Sequence, residues 1–221
     1  MARMARVVVP GVPHHVTQRG ARRNDVFYCE DDYALYASLL SEFCRKRGTE
    51  IWAYCLMTNH VHLVMVPSSE DGLRASLGEA HRRYTRHINQ RERCRGHLWQ
   101  ERFHSFPMDE NYLLAAVRYV EMNPVHANMA NRAEDHVWSS ARAHLAGKDD
   151  GLVKVQPMLD RVSNWREYLD SALDGTTVDI LRKHSNTGRP LGDESFLAML
   201  EQKAGRVLRP LQQGRKKKGE K

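Results

Sequence analysis

The stretch "TEIWAYCLMTNHVHLVMV", residues 49–66, holds two apolar runs that are separated only by Thr58 and Asn59. Each run is rich in β-branched or aromatic residues, and a two-residue connection between such runs is typical of a β-hairpin. Successive side chains on a strand point to opposite faces, so His60 and His62 project together while Val61 turns away. The hairpin therefore predicts two imidazoles side by side on one face of a sheet.

The residues around the hairpin predict the element order β-α-β-β-α-β. Besides strands at 49–57 and 60–66, the expected elements are a strand at 14–19, helices at 31–46 and 71–89, a strand at 97–106 and a further helix from about 109 to 123. This order is typical of the ferredoxin-like or RRM-like fold, an antiparallel sheet with helices on one face. From residue 137 the pattern is mostly helical, with a loop at 184–193. We therefore expect an α+β protein: a βαββαβ antiparallel sheet with an added helix and a helical C-terminal extension.

The charge is unevenly distributed along the chain. The net charge is +7, but residues 206–221 hold seven basic residues against one acid, and residues 1–24 hold five arginines and no acid. A third arginine cluster lies at 81–104. Guanidinium groups match phosphate oxygens well, which favours a nucleic-acid partner. An ordinary solvated surface explains the same clusters about as well, so charge alone does not decide.

Several protein classes do not fit the sequence. No apolar run approaches the length of a membrane span, and the first residues are broken by Pro10 and Pro13 too early for a secretion signal. The four cysteines form no CxxC pair, so neither a zinc ribbon nor a disulfide framework is indicated. We expect a reduced, cytoplasmic, nucleoid-associated protein that does not contact a membrane.

Two histidines on one strand form a weak metal site by themselves, and hydrogen-bonded or exposed histidines are the alternatives. Tyr119 and Asn123 are four residues apart on the helix predicted near 109–123, so they share a face. If that face crosses the sheet near the histidines, Asn123 supplies an oxygen ligand and Tyr119 lies beside the metal. A nucleophile next to a Lewis acid is suited to attack on a phosphodiester. A core tyrosine is the alternative for Tyr119, and Tyr112 is its rival as nucleophile.

The motifs together resemble a known family. The segments "PGVPHHVTQRG", "AYCLMTNHVHLVMVP" and "GHLWQERFHSFPMDENYLLAAVRYVEMNPV" look like the single-tyrosine HUH transposases. More narrowly, they resemble the REP-associated tyrosine transposases, which act on repetitive extragenic palindromic hairpins. The resemblance covers about residues 7–146. Thr58, His126 and Asn128 depart from the residues expected at those positions.

The resemblance implies a metal-dependent, single-stranded DNA endonuclease and strand transferase. His60, His62 and Asn123 would be the metal ligands, and Tyr119 would be the nucleophile that forms a 5′-phosphotyrosine. The family implies Mg²⁺ or Mn²⁺; ligand softness alone places Zn²⁺ and Mn²⁺ ahead of Mg²⁺. The expected partners are single-stranded DNA and DNA hairpins. The protein is expected to be a monomer or a homodimer. The helix that carries Tyr119 would pack either on its own chain or, in a dimer, on the partner chain.

Three domains are expected: an HUH single-tyrosine transposase domain at 1–146, a helical extension at 147–205, and a basic, disordered tail at 206–221. The candidate DNA-binding residues are Arg19, Arg22, Arg23, Arg82, Arg83, Arg86 and Arg102. Trp99 and Phe103 have the composition of a stacking surface but are more often core residues. A nonenzymatic nucleic-acid-binding or regulatory protein on an RRM-like core is the alternative function.

Overall fold

A computed structural model describes residues 5–209 of the 221-residue chain. In this part of the chain one antiparallel sheet has the strand order β2-β3-β1-β4. The strands are β1 (His14–Arg19), β2 (Thr49–Met57), β3 (His60–Pro67) and β4 (His104–Pro107). The α+β fold predicted from the sequence is confirmed.

The β2–β3 hairpin forms as the sequence predicts. Met57 pairs with His60, which leaves Thr58 and Asn59 as the turn. The pairing shifts register between Ile51 and Ala53, and from Ala53 onward each strand alternates regularly between the two faces. This alternation puts His62 on the same face as Cys55 and puts Leu63 on the other.

Helices cover both faces of the sheet. The helices of the described region are α1 (Glu30–Lys46), α2 (Gly72–Arg91), α3 (Glu110–Glu121), α4 (Asn123–His126), α5 (Ala141–Ala146), α6 (Gln156–Leu159), α7 (Trp165–Asp170), α8 (Gly175–Thr187) and α9 (Glu194–Ala204). The amphipathic helices α1 and α2 pack on the face that carries Val16, Leu63 and Met65. The helix α3 packs on the opposite face, against Val64 and Phe106.

The fourth strand is shorter than predicted. Only His104–Pro107 pairs with β1, whereas strand was expected from residue 97. The backbone φ of Gly96 is 114° and that of Glu101 is 54°, and such left-handed residues interrupt an extended strand. Trp99 and Phe103 are both 7% exposed and belong to the core, so they present no stacking surface.

Two helix boundaries also differ from the prediction. The helix expected to run to Asn123 ends at Glu121, and α4 begins a new turn at Asn123. Pro124 has no backbone N–H to continue the hydrogen-bond ladder, which explains the break. The loop expected at 184–193 begins later, because α8 continues to Thr187 and ends at Gly188, where φ is 68°. Glycine adopts this left-handed conformation without strain.

A buried polar cluster joins the end of α3 to Ser140, His144 and Trp165, of which only Trp165 belongs to the extension expected from residue 147. Glu121 accepts hydrogen bonds from the Ser140 hydroxyl at 2.5 Å, His144 Nδ1 at 2.6 Å and Trp165 Nε1 at 2.9 Å. Glu121 is fully buried there, away from the helix face shared by Tyr119 and Asn123, as the sequence predicted. Both oxygens of the Glu121 carboxyl group have hydrogen-bond partners, as buried polar atoms require.

The predicted tail lies only partly within the described residues. Leu208 is 1% exposed, and Arg206 donates hydrogen bonds to the carbonyls of Ala5 and Arg6 at 2.8 and 3.0 Å. Residues 206–209 thus contact the body of the protein, whereas 210–221 lie outside the described residues. No helix within residues 5–209 is both long and apolar enough to cross a membrane.

Candidate active site

A polar cavity opens on the α3 face of the sheet, at the end where β1 finishes and β3 and β4 begin. Here Arg19 pairs with His60, and Thr17 pairs with both His62 and His104. The cavity has a volume of about 980 Å³, in the range of ligand-binding pockets. The same sheet face is apolar towards its other end, where Val64 and Phe106 contact α3.

All four residues predicted to form the site line this cavity. His60, His62, Tyr119 and Asn123 are among its lining residues. The ring centroids of His60 and His62 are 5.0 Å apart, and those of His62 and Tyr119 are 5.6 Å apart. The tyrosine therefore lies beside the histidines of its own chain.

The turn residue Asn59 orients His60. The Nδ1 atom of His60 lies 2.6 Å from the Asn59 side-chain oxygen, while the Asn59 amide donates to the Arg23 carbonyl at 3.1 Å. An amide oxygen only accepts, so His60 Nδ1 carries the proton and donates. Nε2 is then the unprotonated nitrogen, which is the form that a metal ligand requires.

His62 is held in a similar way by another histidine. Its Nδ1 lies 3.2 Å from Nε2 of His15, and the two rings stack with centroids 5.4 Å apart. Burial, with the neighbouring charges of His15, His60 and Arg19 adding to it, holds the pKa of His62 well below its usual value. Burial and the charge of Arg19 lower the pKa of His60 to about 4. Both imidazoles are therefore neutral near pH 7, as metal binding needs.

The junction of α3 and α4 brings Tyr119 and Asn123 together. The Asn123 side-chain amide donates to the Tyr119 carbonyl at 2.8 Å, so its oxygen is the group left for the cavity. Tyr119 is 8% exposed, and in the described part of the chain its hydroxyl has no hydrogen-bond partner. Tyr112 does not line the cavity; its backbone N–H caps the start of α3 by donating to Asp109 at 3.0 Å.

The donor set fits a divalent metal ion. The Nε2 atoms of His60 and His62 are the ring nitrogens outside the contacts with Asn59 and His15, and the Asn123 amide oxygen faces the same cavity. Within residues 5–209, no group of three His, Cys, Asp or Glu side chains is arranged to hold a metal, so a site here needs a ligand of another type. Asn123 meets that need.

The seven candidate DNA-binding arginines are separated by the fold. Arg19 lines the cavity, and Arg102 lines a smaller one beside it. Arg22 and Arg23 follow β1 directly, in a turn where both residues have positive φ. The remaining three, Arg82, Arg83 and Arg86, lie on α2, which covers the other face of the sheet. Arg82 and Arg83 both pair with Glu79 at the surface.

The sequence did not identify His15, which contacts the cavity residue His62, or the cavity residues that come from the end of α8. His15 carried no signal of its own, because its contact with His62 depends on the pairing of β1 with β3. The C-terminal extension also contributes to the cavity, through Arg182, Ser185, Asn186, Thr187 and Arg189. These residues lay in or next to a segment expected to be a loop, without a motif to identify them.

Two neutral histidines, a tyrosine and an amide in one cavity form a site suited to phosphodiester chemistry. The model of the IS200-like transposases matches residues 9–123, a little more than half of the chain, and the chain belongs to this family. It is thus a transposase, a DNA-processing protein. No curated protein matches the chain by sequence.

Solved structures show the likeness in fold. The structure of a REP-associated tyrosine transposase bound to a REP hairpin aligns with a TM-score of 0.59 at 20% identity, over 79% of this chain and 93% of that chain. A candidate transposase from Deinococcus radiodurans R1 aligns with a TM-score of 0.38 at 23% identity, over 54% of this chain and 96% of that chain. The first agrees with the fold described above, and the second is too distant to support an argument.

Proposed function

We propose that this transposase is a metal-dependent single-stranded DNA endonuclease and strand transferase that works through a 5′-phosphotyrosine intermediate. One observation supports this most strongly: His60, His62, Tyr119 and Asn123, which are distant in sequence, line a single cavity. A structural role for Tyr119 would favour a hydroxyl bonded within the core, whereas this hydroxyl has no partner among the described residues.

In this proposal His60, His62 and Asn123 hold the metal, which is Mg²⁺ or Mn²⁺. The imidazole ligands suit Mn²⁺ better than the harder Mg²⁺. The bound ion supplies Lewis-acid polarisation of the scissile phosphate. The His60 and His62 side chains are neutral because burial lowers their pKa values, and their contacts with Asn59 and His15 hold the rings in place.

Tyr119 performs the chemical step. Its phenolic oxygen bonds to phosphorus, the bond from phosphorus to the 3′-oxygen breaks, and the protein becomes linked to the 5′-phosphate. The phenolic proton passes to solvent, and the departing 3′-oxygen takes up a proton. Because the phosphotyrosine conserves the energy of the diester, a 3′-hydroxyl can reverse the attack and rejoin DNA without ATP.

The proposed partner is a DNA hairpin with an adjoining single strand. The structural neighbour that aligns at a TM-score of 0.59 was solved with a REP hairpin, which supports a hairpin of REP type here. Arg19 lines the cavity in which the strand would lie, Arg102 lines the smaller cavity beside it, and Arg22 and Arg23 lie in the turn after β1. We assign Arg82, Arg83 and Arg86, on the far face, to the duplex part of the hairpin.

The test is covalent capture of a labelled hairpin oligonucleotide with a single-stranded flank, in Mn²⁺ or Mg²⁺. Wild type and Tyr112→Phe should form a denaturation-resistant protein–DNA adduct, and Tyr119→Phe should form none. Tyr112 is a matched control because it is on the same helix but outside the cavity. Tight hairpin binding without an adduct in any variant would support a nonenzymatic DNA-binding protein instead.

A further inference from the structure

The helix α8 forms part of the cavity wall. Its residues Arg182, Ser185, Asn186 and Thr187 line the cavity together with Arg189, which follows the helix end. All of them lie beyond residue 123, where the match to the family ends. The chain therefore completes its site with a segment that the family match does not include.

The α8 wall has the chemistry of a phosphate-binding surface. Arg182 is 63% exposed and lies 3.5 Å from Asp179, which is 79% exposed. Such a surface ion pair holds an arginine only weakly, so the guanidinium is free to exchange partners. Asn186 and Thr187 add hydrogen-bonding groups at the rim. The cavity also has more room than a metal ion and one phosphate need.

We propose that the α8 wall binds the sugar–phosphate backbone of the unpaired DNA strand next to the scissile phosphate. Arg182 contacts a phosphate, while Asn186 and Thr187 bond sugar or phosphate oxygens. Arg19 faces the strand from the sheet side, so the strand lies between two basic walls. This inference rests on the proposed function, because it takes the single strand as the occupant of the cavity.

The test compares Arg182→Gln with Lys183→Gln in binding to a fluorescent single-stranded oligonucleotide. Lys183 is exposed on the same helix and does not line the cavity, and Lys183→Gln removes the same charge as Arg182→Gln. Arg182→Gln should weaken binding several-fold and reduce the slope of log affinity against log salt by about one. Lys183→Gln should change the slope far less.

The two variants separate the possible outcomes. Equal losses of DNA affinity in the two variants would show a general charge effect and overturn the α8 assignment. Wild-type affinity and salt slope in Arg182→Gln would also overturn it. If wild type forms the Tyr119 adduct while Arg182→Gln binds normally, the α8 assignment fails and the proposed function stands. If wild type forms no adduct, the proposed function fails whatever α8 binds.

A different observation concerns His15, which lies between His62 and α8. His15 is 1% exposed; its Nε2 lies 3.2 Å from His62 Nδ1, and its Nδ1 lies 3.3 Å from the Ser185 hydroxyl. If His62 offers Nε2 to a metal, its Nδ1 carries a proton and donates to His15. The Nδ1 of His15 then carries a proton and donates to Ser185, so one arrangement of protons satisfies every contact.

The geometry points to His15 as a positioning residue that fixes the tautomer and ring orientation of His62. Histidines that ligate metals usually have such a partner on their other nitrogen, and its loss lowers metal affinity. Ser185 extends this support to α8. The inference rests on the proposed function, since it takes His62 as a metal ligand.

The test measures Mn²⁺ affinity by calorimetry and stability by urea unfolding. His15→Phe keeps the ring but loses the hydrogen bonds and should weaken Mn²⁺ binding about 10- to 100-fold. His15→Gln restores an acceptor and should recover part of that affinity. His14→Phe is the control: His14 is equally buried, but its ring bonds the Val12 carbonyl at 2.7 Å and the Val9 N–H at 3.3 Å.

A purely structural role for His15 predicts another result. His15→Phe would then lower stability as His14→Phe does, with Mn²⁺ affinity unchanged, and the assignment would be wrong. Failure of wild type to bind Mn²⁺ would instead contradict the metal in the proposed function. A Co²⁺ absorption spectrum, altered in His15→Phe but not in His14→Phe, provides a second readout of ligand geometry.

Discussion

The two faces of the sheet are both buried, yet they differ in how they use histidine. On the face covered by α1 and α2, His81 lies against aromatic rings, with Nε2 bonded to the Tyr36 hydroxyl at 2.9 Å. On the face covered by α3, His60 and His62 line an open cavity beside Tyr119. Burial lowers the pKa on both faces, to about 3 for His81 and to about 4 for His60.

A depressed pKa therefore does not distinguish the two kinds of histidine. His81 faces a hydroxyl within the core, whereas His60 and His62 each have one nitrogen fixed by the protein and the other left towards the cavity. Each of the three histidines has one hydrogen-bonded ring nitrogen, and the difference is that His60 and His62 line the cavity whereas His81 does not. The α3 face therefore combines a buried core with the candidate site, whereas the other face carries a buried core and His81.

The largest expected effect is on metal binding. If His62 is a metal ligand as proposed, His62→Ala should lower Mn²⁺ affinity more than about 100-fold, because losing a ligand costs more affinity than losing the His15 contact that orients it. His81→Ala is the control from the opposite face and should leave Mn²⁺ affinity unchanged. Calorimetric titration of both variants checks this. Equal losses in the two variants would show that the faces do not differ as described.

Stability should fall in acid because of the buried histidines. Burial lowers the pKa of His14, His15 and His60 to about 4 from an ordinary 6.5. Between these values the unfolded chain binds more protons than the folded one, so the free energy of unfolding falls as pH decreases from about 6.5 to 4. Each of these histidines should lower the free energy of unfolding by on the order of 3 kcal/mol as the pH falls through this window.

Urea unfolding at several pH values between 7.5 and 4 measures this dependence. In His81→Gln the free energy of unfolding should change less between pH 7.5 and 4. Burial lowers the pKa of His81 in the wild-type protein, so His81 contributes to the wild-type pH dependence. An unchanged pH dependence in His81→Gln would mean that the burial of this histidine does not affect its protonation.

Leu63 tests whether the two faces are independent. It follows His62, points to the opposite face and is fully buried. Leu63→Ala should reduce the free energy of unfolding by about 2–5 kcal/mol through lost packing and a cavity. Mn²⁺ affinity at a temperature where the variant is folded should stay at the wild-type value. A parallel loss of metal affinity would show that the two faces are coupled.

The smallest expected effect is on DNA contacts. Arg19→Ala should weaken binding of both a single strand and a hairpin several-fold and lower the salt slope by about one. Arg82→Ala, on the opposite face of the sheet, should weaken binding of the hairpin and leave binding of the single strand unchanged. Fluorescence titrations with the two DNA forms separate these cases. An effect of Arg82→Ala on the single strand alone would contradict the placement of the strand.

The sequence predicted the parts of the fold that depend on local pattern. The β2–β3 hairpin follows from two apolar runs and a two-residue turn, and the His60–His62 pair follows from strand alternation. Helix boundaries were less accurate where the chain is interrupted, as at Met122, which precedes Pro124. The strand β4 is short because Glu101 has a left-handed backbone conformation, and a glutamate in the sequence does not predict that conformation.

The non-local parts of the site were not predictable from one sequence. The His15–His62 contact requires the register of β1 against β3, and Ser185 reaches His15 across 170 residues of chain. The polar face of α8 resembled a loop sequence, because Ser, Asn, Thr and Gly end the helix. Tertiary packing, rather than a local motif, brings these groups to the cavity.

The most direct test of the central claim is to identify the residue joined to DNA. The wild-type protein is incubated with Mn²⁺ and a hairpin substrate, digested with nuclease and trypsin, and the peptides are sequenced by mass spectrometry. The account predicts a 5′-phosphonucleotide on Tyr119 and on no other tyrosine. A nucleotide on Tyr112, or on any residue outside the α3-face cavity, would contradict it.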